Sequence, residues 1–194
     1  MGIYIVTGAG RGIGKETAIR LAESHNVIAI SRNVDGIPDH NGLTKLSFDL
    51  SENLDLLIGQ LRDLGIDKID GLINNAGALI NMPFDQISED DLTYIYKVNV
   101  FAPFRLTQSL IPFLLKSEHS HVVNIGSVGG VNGTSKFPGL SAYSSSKGAL
   151  SILTECLAEE YKDKISFNCL ALGAVQTEML EEAFPGYKAP ISPE

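Results

Sequence analysis

The sequence has no tryptophan and only two cysteines, Cys156 and Cys169, in 194 residues. Two cysteines in apolar-patterned stretches cannot make a disulfide framework, so a buried core must hold the chain together and a reducing cytoplasm is the expected location. Basic residues are scarce as well. Lys and Arg number 15 against 23 Asp and Glu, a net charge of −8. Such a surface repels phosphate backbones and anionic lipid, so neither nucleic acid nor a membrane is an expected partner. No uncharged apolar run reaches the roughly 18 residues a membrane span needs. The opening MGIYIVTGAG has neither the basic start nor the cleavage site of a secretory signal. His25, His40, His119 and His121 show no metal-ligand spacing, so no metal site is expected. There is no internal repeat and no low-complexity tract.

What is present is alternation. Short apolar runs at 3–6, 27–30, 43–48, 69–73, 122–125 and 165–170 read as strands buried on both faces. Helical periodicity fills 13–23, 54–64, 91–116 and 142–161. Ser51 and Ser88, each followed by acidic residues, mark helix starts. Residues 129–140 are rich in Gly, Ser, Asn and Pro and read as a loop, and 184–194 reads as irregular. Strand and helix in this alternation predict a parallel sheet with right-handed crossovers and helices on both faces, a doubly wound fold three layers deep. Strand order 3-2-1-4-5-6 is the expectation for such a sheet when it binds a dinucleotide. Nothing marks a boundary, so 1–194 is expected to form one domain.

The first strand runs into Thr7-Gly8-Ala9-Gly10-Arg11-Gly12-Ile13-Gly14 and then a helix. Glycines there allow a sharp turn, close approach of backbone to a pyrophosphate, and tight helix–strand contact. The helix N-terminus offers free N–H groups and a positive dipole end. A tight strand–helix turn without a ligand would show the same glycines, but the strand–turn–helix context on the first strand of an alternating chain favours the dinucleotide-binding turn of a Rossmann fold. The second strand ends Ile30-Ser31-Arg32-Asn33, with no acid at Ser31 to accept from a ribose 2′-hydroxyl. Arg32 and Arg11 could instead bind a 2′-phosphate through their planar forks, so NADP(H) is expected over NAD(H).

Further along come Asn74-Asn75-Ala76-Gly77, Asn99, Ser127, and Tyr143 four residues before Lys147. Residues four apart share a helix face, so Tyr143 and Lys147 should point into one space. A nearby ammonium and an oxidised nicotinamide would both lower a phenol pKa, making the tyrosine a workable proton donor to a carbonyl oxygen. Taken alone, such a pair would more often be a solvated helix face.

Together with Asp49 after the third strand, these motifs in this order give the chain its resemblance to the short-chain dehydrogenase/reductase family, from residue 3 to about 177. The resemblance implies an NAD(P)-dependent oxidoreductase acting on a carbonyl/alcohol pair, whether ketone, aldehyde or 3-oxoacyl thioester. It implies Tyr143 as general acid/base, Lys147 on the nicotinamide ribose and tuning the tyrosine, Ser127 orienting the carbonyl, and Asn99 holding a relay water. Asp49 and Leu50 would lie at the adenine. Asn75, Ala76 and Gly77 would lie along the cofactor, and Gly173, Val175 and Thr177 would meet its nicotinamide end.

Three features depart from the family pattern. Leu172-Gly173 stands where Pro-Gly is usual, the interval from Ser127 to Tyr143 is slightly long, and Glu194 precedes the position of a last helix and seventh strand. The chain as given is therefore expected without those two elements. The resemblance also implies a homodimer or homotetramer built on the segments 91–116 and 142–161, with Ile95, Val98, Phe104, Leu106, Leu150, Leu153 and Leu157 as candidate contacts. Two rival readings are a non-catalytic dinucleotide-binding sensor or assembly protein, and an epimerase or dehydratase on nucleotide sugars. The intact Asn99, Ser127, Tyr143 and Lys147 set speaks against the first. The glycine spacing and the lack of a large C-terminal substrate domain speak against the second.

Overall fold

Six short runs of aliphatic residues form one parallel sheet in the computed structural model, which describes residues 1–193. The strands are β1 Ile3–Thr7, β2 Asn26–Ser31, β3 Leu43–Ser47, β4 Gly71–Asn74, β5 Ser120–Ile125 and β6 Ile165–Leu170. The helices are α1 Gly12–Ala22, α2 Leu54–Asp63, α3 Glu89–Tyr96, α4 Ala102–Leu114, α5 Ser141–Glu160 and α6 Glu178–Ala183. Strand order is β3-β2-β1-β4-β5-β6, the order expected of a dinucleotide-binding doubly wound sheet. The order reverses between β1 and β4, where Ile5 pairs with Ile28 on one side and Leu72 on the other. The crevice outside the strand ends at this point is where a doubly wound sheet binds ligands.

Side-chain alternation along the strands sorts the core into two layers. Ile5, Ile28, Ile30, Leu72, Val122 and Phe167 face α2 and α4, meeting Leu57, Leu61, Leu106, Leu110 and Leu114. Val6, Val27 and Ala29 face α1, meeting Ala18 and Ala22. The small residues of α1 let it lie close over β1, which fixes the glycine turn that joins them.

Two sequence expectations need correction. Ser51 does not cap α2; Asn53 does, its side chain accepting from the Asp55 N–H. Ser88 does cap α3, in a reciprocal box with Asp91. The long helix expected over 91–116 is broken by a π-helical turn at Lys97–Phe101. Pro103 supplies one reason. It has no N–H to donate to the carbonyl of Asn99 four residues earlier, so the α-helical ladder cannot run through this point.

Candidate active site

The glycine turn is held in shape by its neighbours. Gly8 and Gly12 have φ of +64° and +55°, a region costly for residues with a Cβ. A Cβ on Gly10 would lie 2.5 Å from the Asn33 carbonyl oxygen. Gly14 presses α1 against the Gly8 backbone and the Asn75 amide. Thr7 Oγ1 accepts from the N–H groups of Asn75 and Ala76 at 3.0 and 3.1 Å. Asn75 Nδ2 donates to the carbonyls of Thr7 and Gly8 at 2.9 and 3.2 Å. The Asn75 side chain thus pins the turn while also lining the cavity, and Thr7, which the sequence showed only as the first residue of the glycine motif, is the other half of this pin. α1 starts at Arg11 with no side-chain cap and no acid in its first turn. Its first N–H groups are left for a ligand.

A cavity of about 470 Å³ opens above this turn and runs from Arg32 to Tyr143. It is lined by Gly8, Gly10, Arg11, Gly12, Ile13, Ser31, Arg32, Asp49 and Leu50, then by Asn75, Ala76 and Gly77, and finally by Ser127, Tyr143, Lys147, Gly173, Val175 and Thr177. The long groove, the glycine cradle and the uncapped helix fit a nicotinamide dinucleotide. Asp49 accepts from the Ser51 N–H at 2.8 Å. That bond, helped by Arg32 and Lys97, holds its carboxyl below the usual range. Lys97, at the same end, was not foreseen; a lone lysine in a helical run gives no signal.

At the other end the Lys147 ammonium, buried beneath the Tyr143 ring, donates to the Ile125 carbonyl at 2.6 Å. It lies 5.9 Å from the ring centroid, and burial brings its pKa down to about 8. The Tyr143 phenol is pushed up by burial, with the neighbouring Ser127 hydroxyl pulling it partly back. The expectation that Lys147 lowers the phenol pKa is therefore not met in the protein alone. The ammonium sits under the ring with its bond to Ile125, and desolvation of the phenol dominates.

Asn99 lies behind the cavity wall. Its Oδ1 accepts from the Ala78 N–H at 2.8 Å, and its Nδ2 donates to the Ala78 carbonyl at 2.9 Å and to Ser146 Oγ at 3.0 Å. Both Nδ2 hydrogens are used and Oδ1 accepts one bond; the Asn99 backbone carbonyl, which Pro103 has no N–H to engage, is a further acceptor for a water. A second buried set went unnoticed in the sequence. Asn74 Nδ2 donates to Thr107 and to Asn124, and Asn124 Nδ2 donates to Thr154. These bonds tie β4 and β5 to α4 and α5 just below the site.

α6 crosses the cavity mouth. Thr177 caps it and touches the turn near Gly12, and Asn81 Nδ2 bonds the Ala183 carbonyl at its far end. Arg11 grips Glu182 with both arms of its fork, at 2.6 and 3.2 Å. Sequence reasoning aimed Arg11 at a 2′-phosphate; here its fork is taken by a carboxylate, and Arg32 is the arginine left open at the end of β2.

Residues 3–188 match the family described as short chain dehydrogenase. The chain is 33% identical to YciK, an uncharacterised oxidoreductase of Escherichia coli K12, over 94% of its own length and 77% of the relative's. It is 27% identical to the 3-oxoacyl-[acyl-carrier-protein] reductase FabG of Thermotoga maritima, covering 93% and 76% of the two chains. Among solved structures, a 4-hydroxyisoleucine dehydrogenase complexed with NADH superposes with a TM-score of 0.85 at 32% identity, covering 96% of this chain and 79% of that one. A short chain dehydrogenase from Escherichia coli CFT073 complexed with NADPH superposes at 0.86 and 30% identity, covering 99% and 85%. The sheet agrees with these likenesses, and the chain belongs to the short chain dehydrogenase family, oxidoreductases that act on alcohols and carbonyls with a nicotinamide dinucleotide.

Proposed function

We propose that the protein reduces an uncharged carbonyl to an alcohol with NADPH, with Tyr143 as proton donor, and that residues 1–194 carry this function as one domain in the cytoplasm. The observation that carries the reading is the convergence of Ser127, Tyr143 and Lys147 at one end of a groove whose other end holds Arg32 and no acid at Ser31. The reduced nicotinamide, when bound, supplies a hydride to the carbonyl carbon. Tyr143 Oη gives the oxygen its proton, and Ser127 Oγ donates a hydrogen bond to the same oxygen. Lys147, still largely protonated at neutral pH, binds the ribose hydroxyls and restores the phenol's proton. The Asn99 backbone carbonyl holds a water beside Lys147, opening the relay to solvent. The backbone of Gly8, Gly10, Arg11, Gly12 and Ile13 cradles the pyrophosphate, and the Arg32 side chain receives the 2′-phosphate.

Two variants test this. Tyr143→Phe should abolish turnover of a carbonyl panel while leaving NADPH affinity within about twofold, because only the proton donor is lost. Arg32→Asp should weaken NADPH binding about ten- to a hundredfold and NADH binding far less, the range set by one arginine–phosphate pair. Equal loss of both cofactors would show that Arg32 does not read the phosphate. Full activity in Tyr143→Phe would remove the tyrosine from its role. A wild type that binds NADPH tightly yet reduces no carbonyl would favour the sensor reading.

A further inference from the structure

We infer that the substrate's non-reacting substituent is an uncharged hydrocarbon portion, held beneath α6 beside Ser127 and Tyr143. This rests on the reading of those two residues as the reaction centre. It follows from how α6 is hung across the cavity. Its cap Thr177 lies near Gly12 and its last residue is held by Asn81, so it spans from the glycine turn to the loop after β4, which itself meets Gly139 ahead of α5. The helix is two-faced. Glu178 reaches the cavity at its glycine-turn edge and Glu182 holds Arg11, whereas Met179 and Leu180, with Phe184 just past the helix, give the cavity its apolar lining. Opposite them stand Leu140, one turn before Tyr143, and Leu172, whose carbonyl accepts from the N–H beside Ser127. Phe137 completes this wall from the loop ahead of α5.

The cations of the cavity are either paired or stand at its opposite end. Arg11 is paired with Glu182, and Arg32 and Lys97 act on Asp49 at the opposite end. Lys147 is buried under Tyr143 on the Ile125 carbonyl. Among the described residues, none of the side chains named for the α6 wall can neutralise a carboxylate or a phosphate. The acids of α6 add repulsion. An anionic substituent would exchange water for hydrocarbon and gain no partner, which is costly. A hydrocarbon substituent gains by its own burial.

The test uses two methyl ketones of equal length, methyl hexyl ketone and its analogue with a terminal carboxylate in place of the terminal methyl. Both present the same carbonyl. The wild-type protein with NADPH should favour the hydrocarbon ketone by about a hundredfold in kcat/KM. Calorimetric binding to the Tyr143→Phe protein saturated with NADPH should show the same order of affinities without turnover. Phe184→Arg and, independently, Met179→Lys should each reduce the preference at least about tenfold by giving the carboxylate a partner; the two substitutions sit on a half-buried surface helix, so at least one should fold. Equal or better binding of the carboxylate, or binding of neither ketone, overturns the inference. If Tyr143→Phe still turns over the hydrocarbon ketone and the hundredfold preference persists, the proton-donor assignment fails while the substrate class stands.

Discussion

Lys147 carries a cost that its role explains. A lysine ordinarily titrates near 10.5, and burial brings this one to about 8. The unfolded chain therefore holds its proton more tightly than the folded one between those values. Stability contributed by this group is lowest below pH 8 and recovers as pH rises toward 10.5, by roughly 3 kcal/mol in all. Lys147→Met removes the buried charge but leaves the Ile125 carbonyl without its donor, a loss of about 1 kcal/mol. The variant should be more stable than the wild type by roughly 2 kcal/mol in urea unfolding without cofactor at pH 7, and the gap should close by pH 10. NADPH binding should weaken in the same variant. A variant less stable at both pH values would mean that the ammonium is not desolvated as its burial implies. The pairing of Tyr143 with Lys147 was legible from their spacing. The side to which each ionisation equilibrium moves was not, because it depends on how deeply β5 and α5 bury the two groups. Arg11 shows the same limit: its chemistry was legible, but its partner lies 171 residues away.

At the scale of elements, the π turn at Lys97–Phe101 is the least regular piece of the fold and sits directly behind the site. Asn99 holds it to the Ala78 backbone through both ends of its amide. Asn99→Ala would leave a buried N–H and a buried carbonyl of Ala78 unpaired, while Ser146 would lose one donor and keep its bond to the Tyr143 carbonyl. The expected loss is about 2–4 kcal/mol, since each orphaned group carries its own desolvation cost. Turnover should fall further than the added unfolded fraction accounts for, because the Asn99 carbonyl moves with the turn. A loss under about 0.5 kcal/mol would show that the pin is not what shapes the segment. Helical periodicity predicted one helix over this stretch because an added residue in one turn shifts the apolar pattern too little to see. Pro103 was a visible warning, since a helix-interior proline frees the carbonyl four residues earlier. The sheet was read more fully than the helices: fully buried parallel strands leave unbroken apolar runs, and α/β alternation makes them parallel, with the glycine turn pointing to the dinucleotide-binding strand order.

The whole molecule presents two neighbouring helices on one layer, α4 and α5, with apolar side chains on their outer faces. Of the residues first considered for a subunit contact, Ile95, Leu106 and Leu150 are instead fully buried in the monomer, and Leu157 packs against its core. Helix periodicity alone cannot separate a core stripe from an interface stripe when both lie on the same helix. Phe104 does face outward at 47% exposure, joined by Phe101 at 54% and Ile152 at 60%. Scattered exposed apolar side chains are ordinary on monomers, but large ones on adjacent helices of one layer form a surface that two copies can share about a two-fold axis. A homodimer through α4 and α5, or a homotetramer containing that dimer, is therefore the expected assembly. Light scattering at micromolar protein should give at least twice the 20.9 kDa of one chain. Phe104→Asp combined with Ile152→Asp should return the mass to that of a monomer while leaving the circular dichroism spectrum unchanged, since neither side chain belongs to the core. A dimer that survives both charges would place the contact elsewhere, and a monomeric wild type would leave α4 and α5 as an ordinary solvent-facing layer.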